Sequence, residues 1–225
     1  MTAKLPIIVF DLDGTLVDTA PSLCTAGNHL LKTINRSPVD VETYKRFIGK
    51  GILKQVEQLL IHTGGIPENN LEKYFILFRS YYDTNLLMST NLYSGVFNTL
   101  NYLRDFPARL ALCTQKAERP AREILSGLNI LKFFEGFAFG DSLPLLKPDP
   151  EMVFFATRKF DSGPLIYIGD SEIDAVTAQN AKAFFLIYTG GYRHVSLDQI
   201  NFDAAFDRHE EIPELIRKIL SDVYK

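Results

Sequence analysis

An α/β fold, a parallel sheet covered by helices on both faces and interrupted by one helical insertion, follows from three observations. Short apolar runs recur along the chain, each followed by a turn and a helical pattern: PIIVF before Asp11, RLALC before Thr114, GFAF before Gly140, LIYI before Gly169 and AFFLIY before Thr189. Strands alternating with helices read as a parallel sheet buried on both sides. From about Asp18 to Asn85 the rhythm stops, and only helical spacing remains. Finally, acids, hydroxyls and lysines collect just after the strand runs, where an open parallel sheet binds its ligands.

The first run leads into FDLDGTLVDT, Phe10 to Thr19, which sets Asp11 and Asp13 two residues apart at a strand end. Gly14 and Thr15 follow, so the chain can turn sharply while a hydroxyl and several backbone N–H groups face one spot. In the insertion, Leu23, Ala26, Leu30, Leu31 and Ile34 recur at helical spacing, as do Leu53, Val56, Leu59 and Leu60, and then Leu71, Phe75, Phe78 and Tyr82. Such stripes predict core. Turn signals at Arg36 to Asp40, Gly49 to Gly51 and Gly64 to Asn70 separate these helices. The domain reading is a core of residues 1–17 and 86–225 and a helical cap of residues 18–85. Further helices are expected at about 94–105, 117–128, 150–160, 171–181 and 212–222, the third capped by Asp149 with Pro150 at its first position.

Composition narrows the function classes. With 225 residues, 46% hydrophobic and 23% charged, the chain can bury a sizeable core. A net charge of −3 gives no general field for polyanions, so neither nucleic acid nor an anionic membrane is expected as a partner. Cys24 and Cys113 are the only cysteines and have no metal-ligand spacing, which suits a reducing cytoplasm. No secretory leader pattern opens the chain, and no stretch approaches the roughly 18 apolar residues of a membrane span. His29, His62, His194 and His209 make no ligand pattern and are expected to be ordinary packing or surface residues.

The strand ends hold the chemistry. Asp11 and Asp13 follow the first run, Thr114, Gln115 and Lys116 the second, Lys147 lies in the loop after the third, and Asp170, Ser171 and Asp174 follow the fourth. Each alone has an ordinary reading: Thr114 can start a helix, Lys147 can be a surface lysine, and Ser171 with Asp174 fits a capping box. Their joint placement favours a site. Asp11 and Asp170 are hard oxygen ligands of the kind Mg²⁺ prefers, while Lys147 and Thr114 can hold an anionic group.

DLDGT, LCT, the lysine of KPDP and GDSEID, in this order over nearly the whole chain, resemble the four motifs of haloacid-dehalogenase-superfamily phosphatases. DTAPSL, FIGKG, GDSLPLLKPDP and the late TGGY most resemble bacterial phosphoglycolate phosphatases. The resemblance implies a Rossmann-like core with an inserted helical cap, and Mg²⁺ as cofactor. Asp11 would be the nucleophile that forms an aspartyl phosphate. Asp13 would protonate the leaving alkoxide and then take a proton from water. Lys147, Thr114 and backbone N–H groups near Leu12 and Gln115 would stabilise the transition state. Asp170 would complete the metal site with Asp11 and the backbone carbonyl of Asp13, and Asp174, beside Ser171, would orient Lys147 or metal-bound water. Two departures stand out: Gln115 where many relatives carry Asn, and Lys182 where a glycine is common.

The same resemblance implies a small phosphorylated metabolite as partner, with 2-phosphoglycolate as the substrate, in a cytoplasmic monomer or homodimer. Thr15, Gln115 and the loop Gly49, Lys50 and Gly51 are the substrate-binding candidates, because glycines allow close approach and the ammonium could meet a second anionic group. Arg46 is another cap cation, read as part of a solvated helix face. The alternatives are a phosphatase for a sugar phosphate, nucleotide or pyrophosphate, and a hexose-phosphate mutase, against which stands Leu23 where mutases of this kind carry histidine. A dehalogenase typically lacks the second aspartate, and a silent binding module would not need the full catalytic set.

Overall fold

Ile7, Ile8, Val9 and Phe10 are all buried, and their side chains divide by parity between two cores. Ile8 and Phe10 join one apolar cluster and Ile7 and Val9 the other, as the twofold period of a strand between two helical layers requires. A computed structural model describes residues 4–224. In chain order it contains β1 (Ile7–Phe10), β2 (Val17–Asp18), α1 (Ala20–Thr33), α2 (Val41–Lys45), α3 (Ile52–His62), α4 (Leu71–Tyr82), β3 (Asn91–Leu92), α5 (Val96–Asp105) and β4 (Arg109–Cys113). There follow α6 (Glu118–Gly127), β5 (Gly136–Ala138), α7 (Glu151–Thr157), β6 (Leu165–Gly169), α8 (Glu172–Asn180), β7 (Phe184–Tyr188), β8 (Ala204–Phe206) and α9 (Ile212–Val223).

Six parallel strands form one sheet in the order β5-β4-β1-β6-β7-β8. Helices α5, α6 and α9 send Leu100, Ile124 and Ile216 into the core on one face, while α7 and α8 send Met152, Val153 and Ala178 into the other. The predicted α/β class is therefore the observed one. The carboxyl ends of β1, β4 and β6 lie side by side, which brings residues 11, 114 and 170 together.

Between β2 and β3 the chain is helical. Leu23, Leu30 and Leu31 of α1 pack with Tyr74, Phe78 and Tyr82 of α4, and Tyr44 of α2 closes against Gly27, where a Cβ would lie 2.5 Å from its ring. These four helices are the segment proposed as a cap.

The structure departs from the sequence expectations at several places. β2 and β3 form an antiparallel two-residue ribbon at the base of the insertion, and β8 closes the sheet; none carries enough residues to show a period. Leu53 is 46% exposed and Phe75 is half-buried, although their spacing predicts core. Helix α7 begins at Glu151, whose N–H donates to Asp149 Oδ1 at 2.9 Å, and it ends at Thr157 rather than near 160. Lys182, just past α8, holds φ at 56°, the left-handed conformation that glycine adopts without steric cost.

Candidate active site

Asp11 sits directly beyond β1, its N–H donating to the Ile168 carbonyl at 2.9 Å, so the central strand pairing fixes its backbone. Lys147 reaches it from the loop before α7: Nζ lies 2.9 Å from Asp11 Oδ1 and 2.7 Å from Asp174 Oδ1. All three are buried. The Tyr167 hydroxyl, 3.3 Å from Lys147 Nζ, donates to Asp174 Oδ1 at 3.2 Å. Burial pushes the Asp11 carboxyl up to about 7 although Lys147 opposes the shift. Burial also works against the Lys147 charge, but Asp11 and Asp174 outweigh it and its pKa is raised.

Asp174 uses both oxygens on protein donors. Oδ2 accepts from the Ser171 N–H at 3.1 Å, the Ser171 hydroxyl at 2.6 Å and the Asp170 N–H at 3.3 Å, while Oδ1 takes Lys147 and Tyr167. Ser171 Oγ in turn accepts the Asp174 N–H, which completes the capping box of α8. One carboxylate thus caps a helix and holds a lysine.

Asp170 is 2% exposed and accepts from the Thr15 hydroxyl at 2.7 Å and the Tyr192 N–H at 2.7 Å. Gly14, at φ 87°, stands so close that a Cβ there would meet Asp170 Oδ2 at 2.4 Å. Burial, then Asp174 and Asp11, push the Asp170 carboxyl well above the usual range. Oxygens of Asp11, Asp170 and Asp174 lie within 4.8 Å of one another.

Asp13 has its own lysine. Lys116 Nζ contacts Oδ1 at 3.0 Å and Oδ2 at 3.1 Å, and the Thr19 hydroxyl donates to Oδ1 at 2.7 Å. Tyr82 of α4 lays its ring 5.4 Å from the same ammonium, so a helix of the insertion touches the group that holds Asp13. Lys116 is buried, which works against its charge, but Asp13 and Tyr82 together outweigh that cost and its pKa is raised.

The donor set suits a divalent cation. Among the described residues, Lys116 and Lys147 are the cations paired with Asp11, Asp13 and Asp174, and with Asp170 beside them the cluster carries two formal negative charges in largely buried surroundings. Asp174 spends its two oxygens on five donors, whereas Asp170 takes one donor on each oxygen and Asp11 takes Lys147 on Oδ1, so Asp11 and Asp170 keep lone pairs for a metal.

A cavity of 320 Å³ opens on this cluster. Its floor includes Asp11, Asp13, Thr114, Lys147 and Asp170, and its far wall comes from the insertion, with Gly49, Lys50 and Gly51 among the lining. Lys50 is exposed and makes no ion pair among the described residues. Two candidates differ from expectation. Thr15 is fully buried and spends its hydroxyl on Asp170, so it supports a carboxylate and does not line the cavity. Gln115 lines the cavity, but its amide donates to the Gly49 carbonyl at 2.7 Å. Sequence reasoning assigned no role to Lys116, Thr19, Tyr82, Tyr167 or Tyr192; Lys116 directly after Thr114 and Gln115, and Tyr192 in TGGY, were the available signals.

The family model for haloacid dehalogenase-like hydrolases matches residues 8–187. A phosphoglycolate phosphatase of Rhodobacter capsulatus is 38% identical over 212 residues, covering 94% of this chain and 96% of its own. One from Cereibacter sphaeroides is 34% identical over 218 residues, covering 96% of this chain and all of its own. The crystal structure of a predicted phosphoglycolate phosphatase from Haemophilus somnus 129PT superposes with a TM-score of 0.89 at 28% identity, covering 96% of this chain and 100% of that one.

Proposed function

The chain belongs to the haloacid dehalogenase-like hydrolases, and from that premise we propose that it hydrolyses 2-phosphoglycolate to glycolate and phosphate through an aspartyl phosphate on Asp11. The observation that carries this reading is the pairing of Asp11 with Lys147 and of Asp13 with Lys116 around one cavity. The names of the full-length relatives support the substrate.

In the first half-reaction an Asp11 oxygen attacks phosphorus in line, the phosphorus–alcohol bond breaks, and protonated Asp13 gives its proton to the departing alkoxide. In the second, Asp13 takes a proton from water as that water attacks the acyl phosphate, freeing Asp11 and inorganic phosphate. Lys147 and the Thr114 hydroxyl bind the non-bridging oxygens, where charge is spread in the transition state. Asp174 and Tyr167 fix the ammonium of Lys147 for that purpose. Mg²⁺ held by Asp11, Asp170 and the Asp13 carbonyl would neutralise phosphoryl charge. Lys50 lines the cavity from the insertion, and in this reading its ammonium meets the substrate carboxylate.

Purified enzyme with Mg²⁺ should release phosphate from 2-phosphoglycolate, with kcat/KM more than tenfold, about 1.4 kcal/mol, above that for ethyl phosphate, which lacks the carboxylate. Asp11→Asn should abolish turnover with the fold intact. Lys50→Ala should lose most of the preference for phosphoglycolate. A wild-type preference for hexose phosphates or pyrophosphate would overturn the substrate and leave the phosphatase chemistry standing.

A further inference from the structure

The insertion wall of the cavity is apolar where a small polyanion needs only charge. Ile52 and Leu53 at the start of α3 and Phe75 of α4 line it, faced by Ile173 of α8. Leu53 is 46% exposed and Ile52, Phe75 and Ile173 are half-buried, so all four present hydrocarbon to the cavity. Their helices had the means to bury everything apolar on this stripe: Val56, Leu59 and Leu60 of α3 and Phe78 and Tyr82 of α4 are fully packed. The apolar stripe therefore continues past the core and into the cavity. Exposed hydrocarbon concentrated in a concave site marks a binding surface.

The charges leave this wall to hydrocarbon. Arg79, the other cation on the insertion side, is held by Asp83 at 2.8 Å, and Asp83 also takes Arg119. Lys116 and Lys147 are tied to acids on the floor. Beyond Lys50, the insertion wall offers the side chain of Gln55, itself 5% exposed. The volume of 320 Å³ lies within the roughly 300–1,000 Å³ of pockets that enclose drug-sized ligands. Glycolate brings a single methylene to that side.

We infer that Ile52, Leu53, Phe75 and Ile173 form an apolar subsite for the organic part of a second substrate class, phosphomonoesters of alcohols carrying an aromatic or branched hydrocarbon group. The inference rests on the phosphatase reading and widens its substrate range. The phosphate end sits on the floor beside Asp11, Thr114 and Lys147, and the hydrocarbon leaves water against the insertion wall. The bonds made and broken are those of the proposed hydrolysis, with the larger alcohol as the leaving group.

The test compares 2-phenylethyl phosphate with ethyl phosphate, whose alkoxides are of similar acidity, so the ratio of their kcat/KM values reads the phenyl contact rather than leaving-group chemistry. The expected ratio in the wild type is above ten. Leu53→Asn and Phe75→Ser should each bring it down severalfold, and Phe75→Leu, which keeps the wall apolar, should retain it; circular dichroism identifies any variant that has not folded. A wild-type ratio near one, with phosphoglycolate still hydrolysed, overturns the subsite and spares the phosphatase reading. A high ratio with phosphoglycolate inert supports the subsite and removes phosphoglycolate as substrate. Should no ester turn over, the phosphatase reading fails, and calorimetry with 2-phenylethylphosphonate against ethylphosphonate decides the subsite: tighter binding of the phenyl compound supports it, and equal binding overturns it.

Discussion

The Gln115 side-chain amide, just beyond β4, donates a 2.7 Å hydrogen bond to the carbonyl of Gly49, 66 residues away in the insertion. Gly49 holds φ at 120°, and a Cβ there would lie 3.7 Å from both His194 and Ile173, so the loop that carries Lys50 rests on the sheet side of the cavity. Asparagine, one methylene shorter, would not span this gap without movement of the loop. What reads in the sequence as a conservative departure is in the structure a strut between the insertion and the sheet.

Gln115→Met keeps the length and removes the donor. We expect the amides around Gly49 to Gly51 to exchange about tenfold faster in hydrogen-exchange mass spectrometry, and KM for phosphoglycolate to rise severalfold. Global stability should fall by about 1 kcal/mol or less, the net worth of one hydrogen bond. Unchanged exchange in this loop would show that Gln115 does not restrain it.

Lys116→Met removes the ammonium that grips both oxygens of Asp13. Turnover of esters with poor leaving groups should drop about 10- to 100-fold, because those depend most on proton transfer. Aryl phosphates, which leave more readily, should lose less. Stopped kinetics with a graded series of leaving groups measures the slope, and an equal loss across the series would place Lys116 outside proton transfer.

Chelation should remove activity, and added Mg²⁺ should restore it. Asp170→Ala deletes a carboxylate that Thr15 and the Tyr192 N–H already orient, so metal affinity measured by calorimetry should fall at least tenfold. Asp174→Ala should weaken it less but lower kcat, since Lys147 loses its 2.7 Å partner. Wild-type affinity in Asp170→Ala would move the metal elsewhere.

His194 gives a pH signature. Its Nδ1 lies 3.0 Å from Glu172 Oε1, and that hydrogen bond raises the imidazole pKa above 6.5 while burial opposes it. A raised histidine pKa stabilises the fold fully below about 6.5 and loses that contribution as pH climbs through the folded value. Glu172 is held down to about 2, chiefly by the same bond, so acid does not break the pair until well below 4.5. Wild type should therefore exceed His194→Gln by about 0.5–1 kcal/mol near pH 5.5, after allowance for solvent screening. The gap should close by about pH 9, as urea melts at both pH values would show.

Local patterns of period and turn chemistry sufficed for the α/β class, for β1, β4, β5, β6 and β7, and for the order of acids, hydroxyls and lysines beyond them. The resemblance of DLDGT, LCT, KPDP and GDSEID points to the family that the match over residues 8–187 identifies. The Ser171–Asp174 capping box was legible for the same reason, since its two residues lie within one helical turn. Which groups touch follows from the packing of the folded chain. Lys116 finds Asp13 across 103 residues, and Thr15 spends its hydroxyl on Asp170 across 155. Leu53 and Phe75 continue helical stripes that predict burial, yet they line a cavity. Periodicity tells which face of a helix is apolar, but what lies opposite that face depends on how α3 and α4 pack over the sheet. Contacts between residues far apart in sequence leave no local pattern, so the partners of Asp13, Asp170 and Gln115 emerge only when the strand ends and the insertion come together.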